Sequence, residues 1–135
     1  MYSTKIMQIA ATACALASSA YANGCLQPLV DNIGEFDVAD AQNIQQSIAA
    51  NTLNPPQEPL FWLGAAGTYR IYGKTAKVCV SNAWVFENTH VHLGDVAFAV
   101  NYLLGSCGSA GGEFTIQGDS GLNINVYLQP LDGVC

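Results

Sequence analysis

"LNINVYLQ", residues 122–129, decides how this chain folds. Leu122, Ile124, Val126 and Leu128 alternate strictly with Asn123, Asn125, Tyr127 and Gln129. A period of two puts the apolar set on one side of a β-strand and the polar set on the other. One side is packed and one is wet, as in an antiparallel sheet covered on a single face. "EFTIQ" (113–117) precedes it, and the intervening "GDSG" (118–121) consists of turn residues, so the two segments read as a hairpin.

The cover for that sheet lies upstream. "GDVAFAVNYLLGSCG" (94–108) carries Val96, Ala99, Val100 and Leu103 at helical spacing, with Asp95 as an expected cap and Gly105 or Gly108 as the stop. Phe98 and Tyr102, four residues apart, share its flank. "FDVADAQNIQQSIAAN" (36–51) is a second amphipathic helix: Asp37 caps it, Asp40 adds charge to the first turn, and Val38, Ala41, Ile44 and Ile48 form the stripe. "NTLNPPQEP" (51–59) has three prolines in five residues and reads as a loop. "TYRIYG" (68–73) and "AKVCVSN" (76–82) are strands joined by a short turn at Gly73-Lys74-Thr75. In the second of these, Ala76, Val78 and Val80 share one face, and Lys77, Cys79 and Ser81 the other. "AWVFENTHVHL" (83–93) adds Trp84, Val85 and Phe86, a polar break at Glu87-Asn88, and a run with Thr89, Val91 and Leu93 facing one way and His90 and His92 the other. The predicted fold is α+β: a two-layer sandwich with an antiparallel sheet of four or five strands and two helices on one face.

Residues 1–22, "MYSTKIMQIAATACALASSAYA", have an early Lys5, an apolar run and Ala20-Tyr21-Ala22. They read as a secretory signal, with a single mature domain over 23–135. A short membrane anchor is the alternative, and the run is short for one. Removing Lys5 leaves three basic residues, Arg70, Lys74 and Lys77, against ten acidic ones, a formal charge of −7. Such a chain lacks the cationic footprint of a nucleic-acid binder or of a polybasic membrane-binding protein. Removing Cys14 leaves Cys25, Cys79, Cys107 and Cys135. An even count in a small secreted domain reads as two disulfides, with three connectivities open. A final hairpin returning toward the end of the second helix favours Cys107–Cys135, which leaves Cys25–Cys79. Each bond is expected to add roughly 3–4 kcal/mol. The sequence has no N-glycosylation sequon and no dibasic pair.

Chemistry-bearing patterns are sparse. His90 and His92, the only histidines, point the same way on a strand and form a weak metal candidate. A stable site needs a third ligand, and nothing in the spacing selects Glu87, Asp95 or Glu113. The expected reading is a polar strand face leading into a helix, with no cofactor. "QGDSGL" (117–122) resembles the nucleophile region of trypsin-like proteases, but the strict alternation after it makes it a turn. No GxSxG elbow is present, and no pair is singled out among Glu35, Asp37, Asp40, Glu87, Asp95 and Glu113 for glycoside hydrolysis. No catalytic residue is therefore predicted. Phe61, Trp62, Tyr69, Tyr72, Trp84 and Phe86 gather in the central third. Core packing accounts for most of them, while "PLFWLGAAG" (59–67) is a candidate exposed patch for a partner or glycan. Trp62, Tyr72 and Trp84 are the candidate binding residues.

"YGKTAKVCVSN" (72–82), "HVHLGDVAFAVNYLL" (90–104) and "GGEFTIQGDSGLNINVYL" (111–128) together carry a resemblance. The chain resembles small secreted fungal proteins of the killer-toxin-like class, and in shape the necrosis-inducing-factor effectors. The shared pattern is a "YG…C.V" strand pair, a "GD" opening the second helix, and a Gly-rich turn into a last hairpin, over about residues 67–129. The resemblance implies a disulfide-stapled, secreted, non-enzymatic effector. It would act on a host plant or a competing microbe through a protein or cell-surface component. No catalytic residues carry over. The alternatives are a cell-wall glycan-binding module and a small metal-dependent enzyme at His90 and His92.

Overall fold

The computed structural model describes residues 24–26 and 34–135. The expected signal segment, 1–22, and the expected mature start at Asn23 lie outside the described residues. In chain order the elements are β1 (Gly24–Cys25), α1 (Val38–Ala49), β2 (Leu60–Leu63), β3 (Thr68–Tyr72), β4 (Ala76–Ser81), β5 (Thr89–His92), α2 (Leu93–Cys107), a 3-10 turn (Gly108–Ala110), β6 (Gly112–Gln117) and β7 (Asn123–Pro130). Five strands make an antiparallel sheet ordered β1-β6-β7-β4-β3. α1 packs on β4, α2 packs on β6 and β7, and the two helices pack on each other. The chain is thus the α+β sandwich its alternation predicts.

The period-two pattern does what the sequence requires. Val78 and Val80 of β4, and Ile124, Val126 and Leu128 of β7, are all fully buried under the helices. Against them stand Ala41, Ile44 and Ile48 of α1 and Val96, Ala99, Val100 and Leu103 of α2. Each such side chain contributes about 1.5–3 kcal/mol relative to exposure. α1 starts at the Asp37 cap, whose carboxylate accepts the Ala39 N–H at 2.9 Å. It ends where Asn51 turns left-handed, at φ 53°.

Several expectations are corrected. β5 does not join the main sheet; it pairs with β2 in a separate two-stranded sheet. "LFWL" supplies the reason: Phe61 and Leu63 are buried and Leu60 and Trp62 exposed, matching the alternation of β5. Trp84-Val85-Phe86 form an exposed loop, not a strand. Asp95 does not cap α2: the helix begins at Leu93 with His92 at the cap, and Asp95 sits in the first turn.

The disulfides are Cys25–Cys107 and Cys79–Cys135, not the expected Cys25–Cys79 and Cys107–Cys135. Sheet order explains the first. β1 pairs with β6 at Cys25↔Gly112, and the 3-10 turn after α2 brings Gly112 back against the Cys107 sulfur, so Cys25 lies beside Cys107. Side-chain parity explains the second. Cys79 points away from the helices, and the segment after β7 turns at Pro130–Gly133 to reach it on the open face. There Gln129 Nε2 lies 3.4 Å from Cys79 Sγ. Loops of 82 and 56 residues give about 4 kcal/mol each in the chain-entropy model.

Candidate binding surface

Asn82 organises the exposed aromatic region. It is 2% exposed and donates from Nδ2 to the carbonyls of Gly64 (3.2 Å) and Glu87 (2.8 Å). Its Oδ1 accepts the Trp84 N–H at 3.1 Å, an Asx turn. Ala66 donates to the Trp84 carbonyl at 2.8 Å, and Ala65 to Asn88 Oδ1 at 3.0 Å. Two loops, 64–67 and 82–88, are thereby fastened together. On this support Trp84, Val85 and Phe86 face solvent, with Phe86 94% exposed. Trp62 of β2 is 62% exposed, and its ring leans over Gly64, where an added methyl group would fall 2.7 Å from Cη2. Glycine is what makes room for the indole.

His90 and His92 belong to the same neighbourhood. The β2–β5 register sets Trp62 opposite His90 and Leu60 opposite His92, all four on the exposed face. Directly opposed residues are close enough to present one surface. Among the described residues no three His, Cys, Asp or Glu side chains gather to hold a metal ion, so Glu87, Asp95 and Glu113 do not complete a site with the histidines.

The 118–121 turn is a turn, as read, and also a clasp. Asp119 donates its N–H to the His90 carbonyl at 2.9 Å, and its Oδ1 accepts the His90 N–H at 2.9 Å and the Thr89 hydroxyl at 3.2 Å. Oδ2 lies 3.5 Å from His90 Nδ1. The His90 N–H is the main reason the Asp119 carboxyl titrates below its usual range; burial opposes this, and the Thr89 hydroxyl, the imidazole and the Ser120 N–H assist. Ser120 Oγ pairs with Thr89 Oγ1 at 2.7 Å rather than with the imidazole. Ser120, His90 and Asp119 are therefore neighbours in which the serine hydroxyl is hydrogen-bonded to Thr89. Gly118 lies so close to Thr89 that any Cβ would collide with it.

The paired-carboxylate reading loses a member as well. Asp40 accepts the N–H groups of Lys74 (3.1 Å), Thr75 (2.7 Å) and Ala76 (3.0 Å), and the Thr75 hydroxyl (3.1 Å). Burial works to raise its pKa, but these four donors outweigh it and hold the carboxyl below its ordinary range. The carboxylate fixes the β3–β4 turn to α1, with three of the four hydrogen bonds on Oδ2 and one on Oδ1.

The three predicted binding aromatics separate into two places. Trp62 and Trp84 flank the fastened loops. Tyr72 is at the far end of β3, paired with Lys77, while Thr68 at the near end pairs with Ser81, next to Asn82. Four strand steps, about 13 Å, lie between those ends. Tyr72 is 63% exposed and lines a groove of about 610 Å³ with Arg70 and Lys74. Val85, Phe86 and the bracing Asn82 are not among the predicted binding residues. The Asx-turn signature of "SNAW" (81–84) was the available signal for Asn82.

No protein-family model matches the chain, and no curated protein matches it.

Proposed function

We propose that this is a secreted, non-enzymatic effector of toxin-like type, acting on a host plant or competing microbe by contact with a protein or cell-surface component. The observation that carries the reading is the exposed set Trp62, Trp84, Val85 and Phe86 on the support braced by Asn82. A small domain that leaves such side chains in water, on loops held by buried hydrogen bonds, has the makings of a contact face. Two disulfides favour an oxidising compartment. Among the described residues no helix is long and apolar enough to cross a membrane. The fungal origin and the plant or microbial target rest on the sequence resemblance.

The test is leaf infiltration with oxidised protein, reduced and alkylated protein, and a Trp62→Ala/Phe86→Ala variant. Necrosis or an altered defence response is expected from the oxidised protein alone. Both substituted residues are mostly solvent-exposed, so the variant keeps its unfolding free energy to within about 0.5 kcal/mol per site. A variant as active as the parent would overturn the assignment of the face.

A further inference from the structure

We infer that the groove between α1, the Thr52–Pro55 loop and edge strand β3 is a binding site for an acidic oligosaccharide, with uronic-acid carboxylates recognised by Arg70 and Lys74. The inference does not depend on the contact face, since neither Trp62 nor Phe86 lines this groove.

Charge distribution is the first argument. The chain carries a formal −6, yet the three cations among the described residues all lie on the β3–β4 hairpin. Lys77 is buried, and the two exposed ones, Arg70 and Lys74, line the same groove. Among the described residues the ion pair present joins His90 to Asp119, so neither cation has a carboxylate partner. One acidic residue, Asp40, also lines the groove; its carboxylate is tied to the hairpin turn by four hydrogen bonds and keeps its charge, so the groove carries two cations against one anion. An excess of cations in one concavity of an otherwise acidic protein, neither of them ion-paired among the described residues, favours an anionic ligand there.

The wall chemistry selects the kind of anion. Asn43 and Ser47, four residues apart on α1, line the groove together with Thr52 and Asn54. Amides and hydroxyls both donate and accept, which matches the vicinal hydroxyls of a sugar. Tyr72 offers an exposed ring at the rim on which a pyranose can stack. Ile44, Leu53 and Ile71 give an apolar floor. A volume of about 610 Å³ is in the range of small-ligand clefts. An extended acidic peptide is the competing ligand, and the experiment includes it.

The experiment titrates the oxidised protein with a hexamer of α-1,4-linked galacturonic acid, by calorimetry at low and high salt. Parallel titrations use the fully methyl-esterified hexamer and a short poly-glutamate. Saturable binding of the acid form, weakened at least five-fold by 0.5 M salt, is expected, together with at least five-fold losses in Arg70→Ala, Lys74→Ala and Tyr72→Ala. All three side chains are exposed, so far-ultraviolet circular dichroism and the melting temperature should be unchanged. Phe86→Ala should bind as the parent does, which separates this site from the contact face, since Phe86 lines neither this groove nor the cavity that adjoins it at Arg70. Equal binding of the esterified hexamer, indifference to Arg70→Ala and Lys74→Ala, or absence of binding would each overturn the assignment. Tighter binding of poly-glutamate would overturn it in favour of an acidic peptide.

Discussion

Asp40 shows how much one side chain can hold in place. From the sequence it is a first-turn charge and one of six unassigned carboxylates. In the fold it receives four hydrogen bonds from a turn 34–36 residues away. Asp40→Ala should cost about 1–2 kcal/mol, since the donors are charge-assisted but solvent-facing; urea unfolding reads this directly, and Asp40→Asn should lose less. The same carboxylate predicts an acid response. Asp40 and Asp119 both have native pKa values below the ordinary 3.8. Their stabilisation is complete above that value and is lost as pH falls through the lower native values. Melting temperature should therefore stay level from pH 7 to about 5 and fall below about pH 4. The fall should be shallower in Asp40→Asn; an equal fall would show that other carboxylates govern it. None of this was legible in advance, because an aspartate in a first helical turn looks the same whether it faces water or a distant hairpin.

At the scale of elements, the sequence is readable where one face is buried and silent where pairing is non-local. β7, β4 and both helices follow from periodicity alone, as Val126 and Val100 show by their complete burial. β2 was harder: four residues of "LFWL" hold a correct alternation, but only partnership with β5 makes them a strand. The histidines illustrate the same limit. Their common outward face was predictable, whereas their position beside Trp62 depends on a register that no local signal carries. The loops that flank this small sheet depend on Asn82. Asn82→Ala removes three hydrogen bonds at a buried position and should cost about 2–3 kcal/mol. Hydrogen exchange should report it first at the Ala66 and Trp84 amides, which the fastened loops protect. Unchanged protection there would mean that the loops are held by other contacts.

For the molecule as a whole, the covalent framework matters as much as the core, since about 4 kcal/mol per bond compares with a total stability of about 5–15 kcal/mol. Peptide mapping of the oxidised protein should recover Cys25–Cys107 and Cys79–Cys135. Recovery of either expected pair, Cys25–Cys79 or Cys107–Cys135, would contradict the sheet order. Under mild thiol treatment Cys25–Cys107 should open first, because Cys25 is exposed and Cys79 is fully buried. The correct pairing was partly within reach of the sequence: the parity of β4 already placed Cys79 on the side away from the helices. What parity could not show was that β1 adds to β6, since two residues carry no periodicity. The pairing also has a consequence for resistance to proteolysis. The two bonds interlock along the chain, Cys25 to Cys107 spanning Cys79, and Cys79 to Cys135 spanning Cys107. Any single backbone cut between Cys25 and Cys135 therefore leaves both pieces tethered. With the side-by-side pairing, a cut after the exposed Phe86 would have released half of the protein; with the interlocked one, a nicked molecule stays whole until its disulfides are reduced.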